Sequence, residues 1–131
     1  MSTRSCIGFI TGPATIQAVY CHYDGYPSYM VPEIIKYIRR HGVTTFKEEI
    51  LRAQKEGGMR TFSQDGIETY NNSDDEGWDY TTRDGSFNPK NSGSQFDYCC
   101  LVGDSGEIEA FYDDEGLQDL SKINKYIEEV K

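Results

Sequence analysis

The stretch of sequence that decides the fold is RSCIGFITGPATIQAVYCHY, from Arg4 to Tyr23. Its two halves are rich in β-branched and aromatic residues, and Gly12-Pro13-Ala14 between them is typical turn chemistry. The pattern predicts an antiparallel hairpin. Both alternating faces of its second strand are largely apolar, which indicates a strand inside a sheet.

Two helices are predicted after this hairpin. The residues Asp24-Gly25-Tyr26-Pro27 end the second strand, and Pro32 suits the first turn of a helix that Gly42 ends. Thr45 and Glu48 have the spacing of a capping box and predict the start of the second helix. This second helix has three inward-facing apolar residues: Phe46, Ile50 and Ala53.

The remainder of the chain contains a polar segment and then regular structure again. Residues 58–95 are rich in Gly, Asn, Ser and Asp and predict an irregular excursion with short strand-like pieces at 59–62 and 67–70. A second hairpin is predicted from strands at 96–102 and 107–112. A terminal amphipathic helix is predicted from the spacing of its apolar residues: Leu117, Leu120, Ile123, Ile127 and Val130.

This order of elements predicts one α+β domain over residues 1–131, with a mainly antiparallel sheet and helices packed on one face. The 131 residues are 37 % hydrophobic, enough for one core. The formal charge of -9 repels nucleic-acid phosphates and anionic lipid and favours basic protein surfaces. We therefore expect no direct nucleic-acid binding, no membrane span and a cytoplasmic protein. Because no cleavable apolar leader is seen, the four cysteines are expected to be reduced thiols.

The residues that could carry catalysis or a metal do not form a recognisable motif. Cys21 and His22 are adjacent, but consecutive strand residues point to opposite faces, so His41 would have to reach Cys21 from the first helix. The pair Cys99-Cys100 has the wrong spacing for zinc. Residues 72–83 resemble a calcium loop, but its last position is Arg instead of a bidentate Glu. The sequence favours a non-enzyme without metal or cofactor, and a Cys/His hydrolase is the weaker alternative.

One block carries a resemblance to a known family. Ile7-Gly8 followed by YCHYDGYP at residues 20–27 resembles the signature of small proteins of bacteriophages and mobile elements, which reads YCHWDGYP after an IGI strand. Tyr23 stands where that family usually has Trp, and the resemblance covers about the first third of the chain. It implies a phage origin, and with it an accessory protein that disables host defence, for example a CRISPR nuclease complex.

Two binding hypotheses follow. In the first, acidic residues of the excursion imitate phosphates, aromatic neighbours anchor the contact, and the partner is a host protein or ribonucleoprotein complex with a basic surface. The residues of this surface are Asp74, Asp75, Glu76, Trp78, Asp79 and Tyr80.

In the second hypothesis the chain sequesters a cyclic or ADP-ribose-type nucleotide, with pockets that a homo-oligomer could form between subunits. Its candidate residues are His22, Tyr23, Asp24, Tyr26, Arg4 and Arg60. A purely structural alternative also explains this block, because Asp, Gly and Pro together form a strand-to-helix corner.

Overall fold

The computed structural model describes residues 4–21, 26–56, 59–71, 79–82, 96–113, 120 and 124–129. These residues form two helices, α1 (Pro27–His41) and α2 (Val43–Glu56), and a set of strands. The strands are β1 (Ser5–Ile10), β2 (Thr15–Cys21), β3 (Met59–Ser63), β4 (Gly66–Asn71), β5 (Asp79–Thr82), β6 (Tyr98–Val102), β7 (Glu107–Tyr112) and β8 (Asn124–Glu129).

Strands β1 and β2 form the hairpin that the sequence predicts. Its turn closes where the backbone amides of Thr11 and Gly12 both donate to the carbonyl of Thr15, at 3.1 and 3.2 Å. The two strands approach closely at Gly8, where a Cβ atom would lie 2.5 Å from the Cα of Ala18. A side chain at position 8 would therefore push the strands apart.

The main sheet has six strands in the order β5-β2-β1-β6-β7-β8. Every neighbouring pair is antiparallel except β1 and β6, which run parallel. The α+β prediction with a mainly antiparallel sheet is confirmed. The parallel pair, which we call the β1–β6 junction, joins two antiparallel halves, β5-β2-β1 and β6-β7-β8.

The two faces of the sheet bury different clusters of side chains. On one face, strand residues that include Ile7, Val19 and Cys100 pack with residues of both helices. The helix residues at the centre of this cluster are Met30, Ile34, Phe46 and Ile50. On the other face, the alternate strand residues Cys6 and Leu101 belong to a cluster with Tyr80, Phe96 and Leu120.

The helices begin at residues other than those predicted. Helix α1 starts at Pro27, which leaves Pro32 inside the helix on its exposed side, where water can bond the carbonyl that lacks a donor. Gly42 ends α1, since its amide donates to the carbonyl of Ile38 at 2.7 Å. Its own carbonyl accepts the amide of Phe46, so α2 starts directly after it. The predicted capping box is wrong because Thr45 already lies within α2.

The inward face of α2 is as predicted: Phe46, Ile50 and Ala53 are all buried. Neither described helix is long and apolar enough to cross a membrane.

The predicted strand-like pieces of the excursion pair with each other as a separate two-stranded sheet, β3-β4. Side chains of both helices bond to its backbone. Glu33 of α1 accepts the amide of Gln64 at 3.1 Å. Glu49 of α2 accepts the amide of Ile67 at 2.7 Å, and Arg52 donates to the Ile67 carbonyl at 3.1 Å. The small sheet is therefore attached to the helices through these polar contacts and through Phe62 and Ile67, which are buried in the helix-side core cluster.

The predicted C-terminal helix is wrong where the structure describes the segment. Residues 124–129 form strand β8, which pairs antiparallel with β7, and Ile127 lies opposite Glu109. A short apolar pattern cannot separate a helix from a strand. The free backbone groups along β7 favour the strand, because each needs a hydrogen-bond partner.

Candidate functional site

Four strands meet at one end of the main sheet, where β2 and β7 end and β1 and β6 begin. The register places four residues in one row across this end: Cys21, Ser5, Tyr98 and Tyr112. We call it the tyrosine end and define it by Arg4, Tyr98 and Tyr112. The family-like block at 20–27 leaves the sheet at the same end, because β2 finishes at Cys21.

Backbone hydrogen bonds connect the strands at the tyrosine end. The carbonyl of Arg4 accepts the amides of Asp97 and Tyr98, at 2.9 and 3.3 Å. The amide of Asp113 donates to the carbonyl of Asp97 at 2.8 Å. The Arg4 guanidinium lies 3.8 Å from the Asp97 carboxylate, and both side chains are about one-third or more exposed. Such an ion pair is weak, so Arg4 can turn to another anion at little cost.

Tyr98 and Tyr112 form a stacked pair, with ring centroids 5.0 Å apart and planes 21° from parallel. Tyr112 is 46 % exposed. Burial raises the pKa of Tyr98, and the neighbouring Tyr112 and Asp97 raise it further. Its phenol therefore stays neutral at physiological pH and can donate a hydrogen bond. A partly exposed aromatic pair can stack a flat ring, and a guanidinium at the same strand ends can pair with a phosphate.

One further group lies at the tyrosine end, and another follows β2 in the chain. The Ser5 hydroxyl is buried between Cys21 and Tyr98 in the row and has no hydrogen-bond partner among the described residues. Tyr26 precedes the first turn of α1, is 40 % exposed and contacts the Tyr29 ring edge-on at 6.4 Å. That first turn contains no acidic residue, so the positive end of the helix dipole is not neutralised there by its own side chains.

Of the residues predicted from the sequence to bind a nucleotide, some are accessible and others are not described by the structure. Arg4 and Tyr26 are accessible, as that hypothesis needs. His22, Tyr23 and Asp24 lie outside the described residues, between Cys21 and Tyr26.

Arg60 differs from expectation. It is fully buried, and its guanidinium donates to the carbonyl of Ala53 at 3.0 Å. Arg60 and Phe62 are two residues apart on β3, so their side chains lie on the same face of the strand, and both are buried in the core. Arg60 therefore has no exposed surface with which to meet a phosphate.

The placement of Cys21 gives it none of the features of a nucleophile. It is fully buried, and burial raises its pKa to about 12, although the charge of Arg60 lowers it somewhat. Reactive cysteines are accessible and have a lowered pKa. His41, the imidazole predicted to join it, is exposed in the last turn of α1 and lies against the Tyr37 ring at 4.6 Å.

The expectation of four reduced cysteines is wrong for two of them. Cys6 and Cys99 form a disulfide across the β1–β6 junction, where they are direct cross-strand partners with Cα atoms 4.7 Å apart. Cys21 and Cys100 are free and buried on the helix-covered face. The pairing depends on the parallel register of β1 and β6, which no local pattern in the sequence reveals.

The predicted acidic surface lies mostly outside the described residues. Asp74, Asp75, Glu76 and Trp78 belong to the segment 72–78, which is not described, and Asp79 begins β5. Tyr80 is not a surface anchor: it is buried and packs edge-on against Phe96 at 5.6 Å. Its position on β5 opposite Ala18 turns it into the core. An inhibitor that uses the remaining acidic residues stays a prediction.

In the part of the chain that the structure describes, no group of three His, Cys, Asp or Glu side chains could hold a metal ion. Comparison of the chain with protein-family models, curated proteins and solved structures gives no match. The function is therefore inferred from the side chains themselves.

Proposed function

We propose that this chain binds and sequesters a nucleotide at the tyrosine end of its sheet without converting it chemically. The observation that carries this proposal is the stacked pair Tyr98–Tyr112, with Tyr112 exposed, at the same strand ends as Arg4. A base or other flat ring would lie on the open face of Tyr112. The Arg4 guanidinium would exchange Asp97 for a phosphate, which it can contact through two parallel hydrogen bonds.

The overall charge of -9 makes nucleotide binding depend on such local groups. Arg4 is a cation at the tyrosine end, and the N-terminus of α1, which follows β2 in the chain, has a partial positive charge. A chain with these groups would act by lowering the free concentration of a nucleotide signal. That role fits a phage accessory protein directed against host defence.

The test is thermal unfolding with a panel of cyclic and ADP-ribose-type nucleotides. Binding to the native state alone raises Tm, by an amount that grows with ligand concentration above Kd. We expect one class of nucleotide to raise Tm of the unmodified chain. Tyr112→Ala and Arg4→Gln should abolish this rise, whereas Tyr112→Phe, which keeps the stacking ring, should retain it.

The matched control is Arg39→Gln. Arg39 is an exposed arginine in the last turn of α1, about 20 Å along the helix from Tyr26. It should respond to nucleotides as the unmodified chain does. No rise in Tm with any nucleotide, or an equal loss in Arg39→Gln and Arg4→Gln, contradicts the proposal.

A further inference from the structure

The Cys6–Cys99 disulfide lies beside the tyrosine end. Cys6 is two residues from Arg4, and Cys99 directly follows Tyr98. Arg4 belongs to one antiparallel half of the sheet, whereas Asp97, Tyr98 and Tyr112 belong to the other. The two groups of site residues therefore meet only across the β1–β6 junction, at the point where the disulfide joins them.

The junction has no short chain connection to hold it. Cys6 and Cys99 are 93 residues apart in the chain. A crosslink that closes so long a loop removes a large amount of conformational freedom from the opened state. Without it, the strand ends at the tyrosine end depend on the β1–β6 ladder and on the amides of Asp97 and Tyr98 that bond to Arg4. Hydrogen bonds at strand ends open more readily than those in the middle of a sheet.

We propose that Cys6–Cys99 is a redox-controlled clamp on the tyrosine end: its reduction frees the start of β1 from the start of β6 and thereby weakens ligand binding there. The binding part of this inference rests on the proposed function, whereas the clamp itself does not.

The reaction is thiol–disulfide exchange with a dithiol reductant. A thiolate of the reductant attacks one sulfur of the Cys6–Cys99 bond, which breaks that bond and forms a mixed disulfide. The second thiol of the reductant then attacks the mixed disulfide and closes the reductant's own disulfide. Two electrons pass to the protein, and one proton ends on each of the two cysteine sulfurs. Because both cysteines are buried, the reductant gains access only when the strand ends open.

Cys21 and Cys100 provide an internal control. Both are buried free thiols on the opposite face of the sheet from the disulfide. A Cys21→Ala/Cys100→Ala protein keeps the clamp and should respond to dithiothreitol. A Cys6→Ala/Cys99→Ala protein lacks the clamp and should not respond. The comparison uses the response of each protein to reductant, so a cavity left by any of these substitutions does not affect it.

The first measurement is amide hydrogen exchange with and without dithiothreitol, after thiol titration in denaturant has shown two free thiols in the oxidised protein and four in the reduced one. Reduction should accelerate exchange at Asp97 and Tyr98, whose amides bond to Arg4 across the junction, on the order of tenfold. The Gly103 amide, which bonds to the Glu107 carbonyl at the far end of the sheet, should change much less. Tm should fall by roughly 10 °C. Equal acceleration at both ends, or none at either, overturns the clamp.

The second measurement is the affinity of the nucleotide found in the panel above, for oxidised and reduced protein. Reduction should weaken it about tenfold in the unmodified chain and leave it unchanged in Cys6→Ala/Cys99→Ala. If a nucleotide binds with the same affinity to oxidised and reduced protein, the disulfide does not regulate binding, but the proposed function stands. If no nucleotide binds, the proposed function fails and the exchange measurement alone decides the clamp.

Discussion

Two regions of the protein, the β1–β6 junction and the β3-β4 sheet, are held by contacts between residues that are distant in the chain. The chemistry of these contacts differs between the two regions. The junction combines a backbone ladder with a disulfide. The small sheet combines apolar packing of Phe62 and Ile67 with helix side chains that bond its backbone. These side chains are Glu33, Glu49 and Arg52. The first attachment contains a bond that reduction would break. The second contains carboxylates whose ionisation depends on pH. The first experiment below tests the β1–β2 hairpin beside the junction, and the two after it test the polar part of the attachment of the small sheet.

The largest effect is expected from Gly8→Ala in β1. The added methyl group would collide with the backbone of β2 at Gln17 and Ala18, which cannot move without separating the strands. We expect a loss of about 3 kcal/mol in the free energy of unfolding, measured in urea. Gly12→Ala in the turn of the same hairpin is the matched control, because its methyl group meets only the mobile hydroxyl of Thr15. Equal losses in the two variants would show that the close approach at Gly8 is not what limits stability.

A smaller effect is expected from Glu49→Gln in α2. The substitution removes the charge on the acceptor of the Ile67 amide and weakens the contact with Arg52. Since Arg52 is 42 % exposed, most of the loss comes from the amide, and about 1 kcal/mol is expected. Glu48→Gln is the control, because this exposed neighbour is the same residue type at the next position. Losses of the same size in both would argue against a polar attachment of the small sheet.

The smallest effect is the pH dependence of that attachment. Burial opposes ionisation of Glu49, but Arg52, the Ile67 amide and His41 outweigh it and hold its pKa below the ordinary value of 4.5. A lowered folded-state pKa contributes stability that is complete above 4.5 and is lost as pH falls through the folded value. The difference in unfolding free energy between the unmodified chain and Glu49→Gln should therefore shrink between pH 6 and about pH 3. A constant difference over this range would contradict a contribution from ionised Glu49.

The parts of the fold that the sequence predicts are those set by local chemistry. Gly12-Pro13-Ala14 predicts the turn between β1 and β2, and Gly42 predicts the end of α1, because both act on backbone conformation within a few residues. The start of α2 is missed because Gly42 also accepts the Phe46 amide, a double role that a capping-box pattern does not reveal. Residues 124–129 are missed because the neighbouring strand β7 decides their conformation.

The candidate site is less predictable than the fold. Arg4 and Tyr26 are found from the sequence as polar and aromatic residues next to a strand end. Tyr98 and Tyr112 are missed because their stacking follows from the register of β6 and β7. Tyr80 and Arg60 are predicted to lie on the surface because their residue types are polar or charged. In the structure both side chains lie on the buried face of their strands. In each case the missing information is a contact between distant parts of the chain.

The parallel pairing of β1 with β6 also has a consequence for protein synthesis. Ribosomes add about 5–20 residues per second, so β1 and β2 emerge several seconds before β6. Until then one side of β1 has unpaired backbone groups and, at Ile7 and Phe9, apolar side chains that the finished fold buries. Such a strand can pair with another nascent chain. When many ribosomes translate one mRNA, the N-terminal hairpin is therefore the segment that most readily pairs incorrectly with a neighbouring nascent chain. A chaperone that binds unfolded chains would have its greatest effect on this hairpin.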